Sequence, residues 1–168
     1  MDAGPGRPKP ILFLDFEASS LSEESWPIEI GAASIVHGNV RVWSTLIAPR
    51  RDWPLDDWRE ASARVHGIPF EDVKGGADPE RVARLTDQFT AYDVISDNPE
   101  HDQFWLDRLR GRQRGHIPIR GLRTLIAERL DDEGALAFSE ELSQHPAPHR
   151  AAGDAARLAE AWLAVIGG

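Results

Sequence analysis

The sequence contains no cysteine, one methionine and one tyrosine, and its 19 lysines and arginines are outnumbered by 28 acids. The missing thiols exclude disulfides, zinc thiolate clusters and a cysteine nucleophile, and they suit a reducing compartment. Any metal must therefore be held by oxygen or imidazole. Long hydrophobic runs are absent as well: ILFL at 11–14 is far too short to span a bilayer, and the leading MDAGPGRPKP lacks the apolar core of a signal peptide. These features point to a cytoplasmic protein with no membrane partner. No repeat or low-complexity segment appears. The 168 residues, 41% hydrophobic and 28% charged, read as one globular domain at 11–168 behind a disordered leader at 1–10.

The shortage of basic charge, a formal net charge of -9, argues on its face against a nucleic-acid partner. That argument loses force where the acids ligate metal, because such residues count as negative in the sum yet present a positive site once loaded. The charge is also unevenly spread. Trp105 to Leu130 carries seven arginines against Asp107 and Glu128, a local +5 that leaves -14 for the rest. Within this strip Arg110, Arg112 and Arg114 are candidates to guide the phosphate backbone of a single strand, and a solvated basic turn reads equally well.

What is present is organised around Ile11 to Leu21, ILFLDFEASSL, an apolar strand that runs into Asp15 and Glu17. Carboxylates at i and i+2 of a strand project from one face, a few ångströms apart. Burying two such anions is costly unless a proton or a cation offsets the charge, so the pair reads as half of a divalent-metal site. A solvated pair just past the strand end is the alternative this stretch leaves open. Downstream, Trp26 to His37 and Arg41 to Ala48 read as a hairpin broken at His37-Gly38-Asn39. The spacing predicts helices over Leu55 to Val65 and Pro79 to Ala91, then a short buried strand from Tyr92 to Ser96.

Asn98-Pro99 is an N-cap and first-turn signature, and in the helix it opens Asp102 is in phase with Trp105, Leu106 and Leu109. An acid on that face is either a first-turn residue stabilised by the helix dipole or part of a site. Ile117 to Ile119 is a candidate strand and Gly121 to Leu130 a helix, closed by Asp131-Asp132-Glu133-Gly134. Ala135 to Pro148 reads as a loop, because Pro146 and Pro148 keep the approach to His149 extended. From Arg150 to Ile166 the pattern is helical, with Asp154 in its first turns. A histidine on the entering loop can fold back toward the same pocket as Asp154.

Together these pieces resemble the DEDDh superfamily of 3′-5′ exonucleases, the DnaQ-like enzymes that include a polymerase proofreading subunit, ribonuclease T and oligoribonuclease. DFEASSL looks like the first exonuclease motif, WPIEIGAASI like the strand after it, and HGI at 66–68 like a recurrent helix end. DNPEHD looks like the second motif and HRAAGDA like the third, which keeps the five-residue offset between His149 and Asp154. The sister group has a tyrosine four positions before the last aspartate, where this chain has Arg150, so the histidine version fits. Asp97 and His101 depart from the usual residues of the second motif.

The resemblance implies an α/β, ribonuclease H-like fold: a mixed five-stranded sheet flanked by helices. It implies two Mg²⁺ or Mn²⁺ ions, with Asp15 bridging both, Glu17 and Asp154 on the ion that activates water, Asp102 supporting the second, and His149 as general base. Ser19 and Leu21 are then expected near the terminal nucleotide of a single-stranded RNA or DNA 3′ end. Relatives are often homodimers, which makes self-association a further expectation. Two alternatives stand beside this reading. One is a proofreading subunit, for which a polymerase-binding tail is expected and the chain, ending at Gly167-Gly168, offers none; the other is a non-catalytic relative that binds nucleic acid or protein.

Overall fold

Alternation along the first strand builds the architecture. In the computed structural model, which describes residues 8–167, β1 (Ile11–Ala18) sends Leu12, Leu14 and Phe16 to one face and Phe13, Asp15 and Glu17 to the other. Residues 1–7 of the expected leader lie outside the described residues. At 8–10 the chain already meets the domain, with Lys9 Nζ donating to the Thr90 carbonyl at 2.8 Å.

β2 (Pro27–Val36) and β3 (Asn39–Leu46) form the expected hairpin beside β1, turning at His37 and Gly38, both with positive φ. The expected helix from Leu55 instead breaks in two. A 3-10 turn at Leu55–Asp57 is followed by extended Trp58 and Arg59, and α1 (Glu60–His66) begins only then. The cause is tertiary: Asp57 is drawn into a buried network and Arg59 N–H donates to the Ser19 carbonyl at 3.0 Å. A short α2 (Phe70–Lys74) and α3 (Pro79–Leu85) follow, and the expected second helix finishes as a 3-10 segment at Thr86–Ala91.

β4 (Asp93–Ser96) runs parallel to β1, α4 (Pro99–Arg110) crosses the sheet, and β5 (Ile119–Gly121) lies parallel to β4. The sheet is therefore mixed, in the order β3-β2-β1-β4-β5. α5 (Leu122–Arg129), α6 (Asp132–Gln144) and α7 (Ala151–Ile166) complete the chain. α6 corrects the loop expected from Ala135 to Pro148. The acids expected to close α5 are the start of the next helix: Asp131 caps it, accepting from Gly134 N–H at 2.9 Å, and Asp132 and Glu133 lie at its positive end. One aromatic anchors it, Phe138, which meets the Trp162 ring edge-on at 6.0 Å.

Two cores result. Leu12, Leu14, Phe16, Ile28 and Ile30 pack with Trp26, Trp105, Leu106 and Leu109 on the α4 side. Phe13, Ala33 and Ile95 pack with Leu125, Phe138, Leu158 and Trp162 on the α7 side. Among the described residues no helix is long and apolar enough to cross a membrane.

Candidate active site

The odd-numbered face of β1 changes chemistry where its neighbour stops. β4 pairs with β1 only from Ile11 to Phe13, so Asp15 and Glu17 continue the Phe13 face beyond the end of that pairing. The strand order reverses at β1, with β2 and β3 built outward on one side and β4 and β5 on the other, the usual ligand-binding position in such sheets. The first turn of α4 brings Asp102 to this end of the sheet, where it is fully buried and accepts a hydrogen bond from the Ser96 hydroxyl. Ser96 Oγ in turn accepts from Asn98 N–H at 2.9 Å. The expected N-cap is thus in place at Asn98, but its own side chain meets His101 Nδ1 at 3.0 Å.

α7 brings the remaining residues. Its N-terminus lies on β2 and β1, and Asp154 offers a carboxylate oxygen that, with one each from Asp15 and Glu17, forms a group lying within 4.8 Å of one another. Asp102 stands outside that triangle, yet it is the charge that acts most strongly on Asp15. His149 is exposed on the turn before α7 and has left-handed backbone, φ 54°, a conformation that costs a non-glycine residue about 1 to 2 kcal/mol. Its charge is felt at the Asp154 carboxylate.

Electrostatically the site is unbalanced. Among the described residues, no ion pair includes Asp15, Glu17, Asp102 or Asp154. Burial pushes the Asp15 carboxyl up to about 10, and the charges of Asp102, Glu17, Asp154 and Asp97 act in the same direction. Glu17 is raised to about 7, first by burial and then by Asp154 and Glu29, with Arg150 opposing. Burial also raises Asp102 well above the usual range, against the Ser96 hydrogen bond. Asp154 is raised for the same reason, against the Arg150 N–H bond and the His149 charge. Mutually repelling hard-oxygen donors with no cationic side chain paired to them among the described residues fit a divalent cation that replaces the protons.

The other sequence-derived candidates separate. Ser19 is fully buried; its hydroxyl accepts from Trp26 N–H at 3.0 Å and lies 3.5 Å from Asp57 Oδ2, so the side chain holds the loop after β1. Leu21, 74% exposed, borders an open cleft with His101 and Phe104. The arginines lie at the other end of α4, about 12 Å along its axis from Asp102. Arg110 is buried there, donating to Thr86 Oγ1, Asp87 and the Gly115 carbonyl, and Arg114 pairs with Asp87 at 2.7 Å. Only Arg112 of the three is exposed.

Sequence reasoning missed Glu29. It is buried on β2 in register with Glu17, and its carboxylate accepts from Arg150 Nε at 3.0 Å, Arg150 Nη2 at 2.8 Å and Ala151 N–H at 3.1 Å. His66 of the HGI segment is buried beside this pair. Its Nδ1 accepts from Ile68 N–H at 3.0 Å, Nε2 has no partner among the described residues, and burial lowers its pKa. A glutamate inside an otherwise apolar strand, PIEIGA, was the available signal.

Neither a protein-family model nor a curated protein sequence matches the chain. Solved structures do. E. coli exonuclease I, in complex with a dT13 oligonucleotide, superposes with a TM-score of 0.68 at 15% identity, over 94% of this chain and 41% of that one. The chain has the ribonuclease H-like fold of such exonucleases. A 3′-exonuclease described in 3′-end recognition of a histone mRNA stem-loop gives a TM-score of 0.68 at 12% identity, covering 97% of this chain and 84% of its own. Cell-death related nuclease 4 gives 0.64 at 12% identity, over 95% and 64%. The chain thus spans about two fifths of exonuclease I and most of the stem-loop exonuclease.

Proposed function

We propose that the protein is a DEDDh-type, metal-dependent 3′-5′ exonuclease that removes nucleoside 5′-monophosphates from the 3′ end of single-stranded RNA or DNA. One observation carries this reading: the carboxylates of Asp15, Glu17 and Asp154 converge within 4.8 Å, with no cationic side chain paired to them among the described residues, in a fold shared with nucleases. The nucleic acids bound by exonuclease I and by the stem-loop exonuclease support the substrate class.

Asp15, Glu17 and Asp154 would hold Mg²⁺ or Mn²⁺ directly, Asp15 being shared between two ions and Asp102 supporting the second. Bound there, the ions supply charge stabilisation on the phosphoryl and leaving oxygens and lower the pKa of a bound water. His149, exposed beside Asp154, accepts the proton of the attacking water as its oxygen bonds to phosphorus. The bond from phosphorus to the 3′-oxygen of the preceding nucleotide breaks, and that oxygen takes a proton from solvent. Leu21, projecting from the loop after β1, would pack against the terminal base.

Digestion of 3′- and 5′-labelled oligonucleotides tests the reading. The wild type with Mn²⁺ should shorten them from the 3′ end by single nucleotides. His149→Ala should be slower by on the order of 10² to 10⁴. Equal nucleotide release by the wild type and Asp15→Asn would sink the mechanism.

A further inference from the structure

Two positions of β2 touch the start of α7, and they are the cross-strand neighbours of the two acids of β1. Gly31 is in register with Asp15 and Glu29 with Glu17, so all four face the same side of the sheet. At Gly31 the helix backbone comes so close that a Cβ would lie 2.1 Å from the Ala151 carbonyl carbon and 2.5 Å from Ala152 N. At Glu29 the carboxylate closes on Arg150 and Ala151 through three hydrogen bonds of 2.8 to 3.1 Å. Pro148 presses on the same turn from outside, where a Cβ on Gly153 would lie 2.4 Å from its ring.

Arg150 is joined to both functional residues of the third motif. It follows His149 directly. Its N–H donates to Asp154 Oδ2 at 3.0 Å, and its carbonyl accepts from Asp154 N–H at 2.9 Å. Its guanidinium is meanwhile spent on Glu29, a charge-assisted bidentate pair of the geometrically specific kind. We infer that Glu29 and Arg150 are positioning residues of the carboxylate site: the clasp between β2 and the first residue of α7 fixes the Asp154 carboxylate against Asp15 and Glu17 and sets the turn that presents His149.

The catalytic part of this inference rests on the exonuclease reading; the metal-binding part does not. The test measures Mn²⁺ affinity by calorimetry, kcat and KM on a short single-stranded oligonucleotide, and thermal stability, for Glu29→Gln, Arg150→Gln, the double variant and Arg150→Lys. Outer-shell partners of metal ligands are typically worth 10- to 100-fold. We expect Mn²⁺ affinity and kcat to fall by about that factor with KM nearly unchanged, and the double variant to be no worse than the poorer single one. Arg150→Lys keeps the charge, loses the fork and should fall with the others. Should Glu29→Gln fail to fold, Arg150→Lys, altered on a half-exposed side chain, still decides. Variants that are less stable but bind Mn²⁺ like the wild type would overturn the inference, leaving the clasp a fold contact only. If the wild type releases no nucleotides, the exonuclease reading fails, while the Mn²⁺ titrations still settle the clasp.

Discussion

Glu17 and Glu29 sit opposite one another on β1 and β2, on the same face and both largely withdrawn from water. Glu29 accepts three hydrogen bonds, two of them from a guanidinium. Glu17 faces Asp15 and Asp154 without an ion-pair partner among the described residues, and its carboxyl is pushed up to about 7. Asp57 repeats the Glu29 pattern with hydroxyls, accepting from Ser20 at 2.5 Å and Ser22 at 2.8 Å. The contrast separates buried acids that hold the structure together from acids that the structure holds apart from any countercharge. Only the second kind stores repulsion that a bound cation can relieve.

Asp15→Asn should break that contrast most sharply, because its effects on rate and on stability have opposite signs. Nucleotide release should fall by on the order of 10³, the worth of several kcal/mol of lost metal assistance. In chelator at pH 8 the same variant should be more stable than the wild type by about 1 kcal/mol or more, read from urea midpoints, since it removes an uncompensated buried charge. A less stable Asp15→Asn would place Asp15 with Glu29 and Asp57 instead.

Next in size is the pH dependence of the metal-free protein. Asp15 and Glu17 release their protons at ordinary pH values when unfolded but hold them to about 10 and about 7 when folded. Over that window the folded state binds more protons, so stability falls as pH rises, by at most about 1.4 kcal/mol per pH unit for each group. The range to examine is pH 6.5 to 8.5. Below it His66, whose pKa is lowered by burial, contributes in the opposite direction. Saturating Mn²⁺ should flatten the decline. Stability that climbs with pH in chelator across this range would contradict the assignment.

On the satisfied side, Asp57→Ala should cost about 2 kcal/mol, because the buried Ser20 hydroxyl and the Ser22 hydroxyl lose their acceptor. The smallest effects belong to the arginine turn. Arg112→Ala should change stability by less than about 0.5 kcal/mol and reduce the salt dependence of oligonucleotide binding by about one phosphate's worth. Arg110→Ala, in contrast, should destabilise by about 2 kcal/mol through its lost contacts to Thr86, Asp87 and Gly115. An Arg112→Ala variant with an unchanged salt slope would remove that residue from the substrate path.

Much of this was legible in advance for a local reason. The period of two in a strand puts Asp15 and Glu17 on one face whatever surrounds them, and the Asn98-Pro99 start puts Asp102 in the first turn of α4. What escaped depended on distant partners. Glu29 reads only as a polar break in an apolar strand until Arg150 arrives from 121 residues away. Ser19 reads as a polar loop residue until Trp26 and Asp57 enclose it. The acids at 131–133 read as the end of one helix, yet Asp131 begins another once Phe138 has a tryptophan to pack on.

The sequence alone therefore determined which acids share a face, which helix turns carry the others, and that oxygen or imidazole must hold any metal. Only the tertiary structure decided which acids are left without a countercharge. Whether a buried carboxylate is neutralised depends on what lies within a few ångströms of it, and at Glu29 and Asp57 those partners come from other elements of the chain.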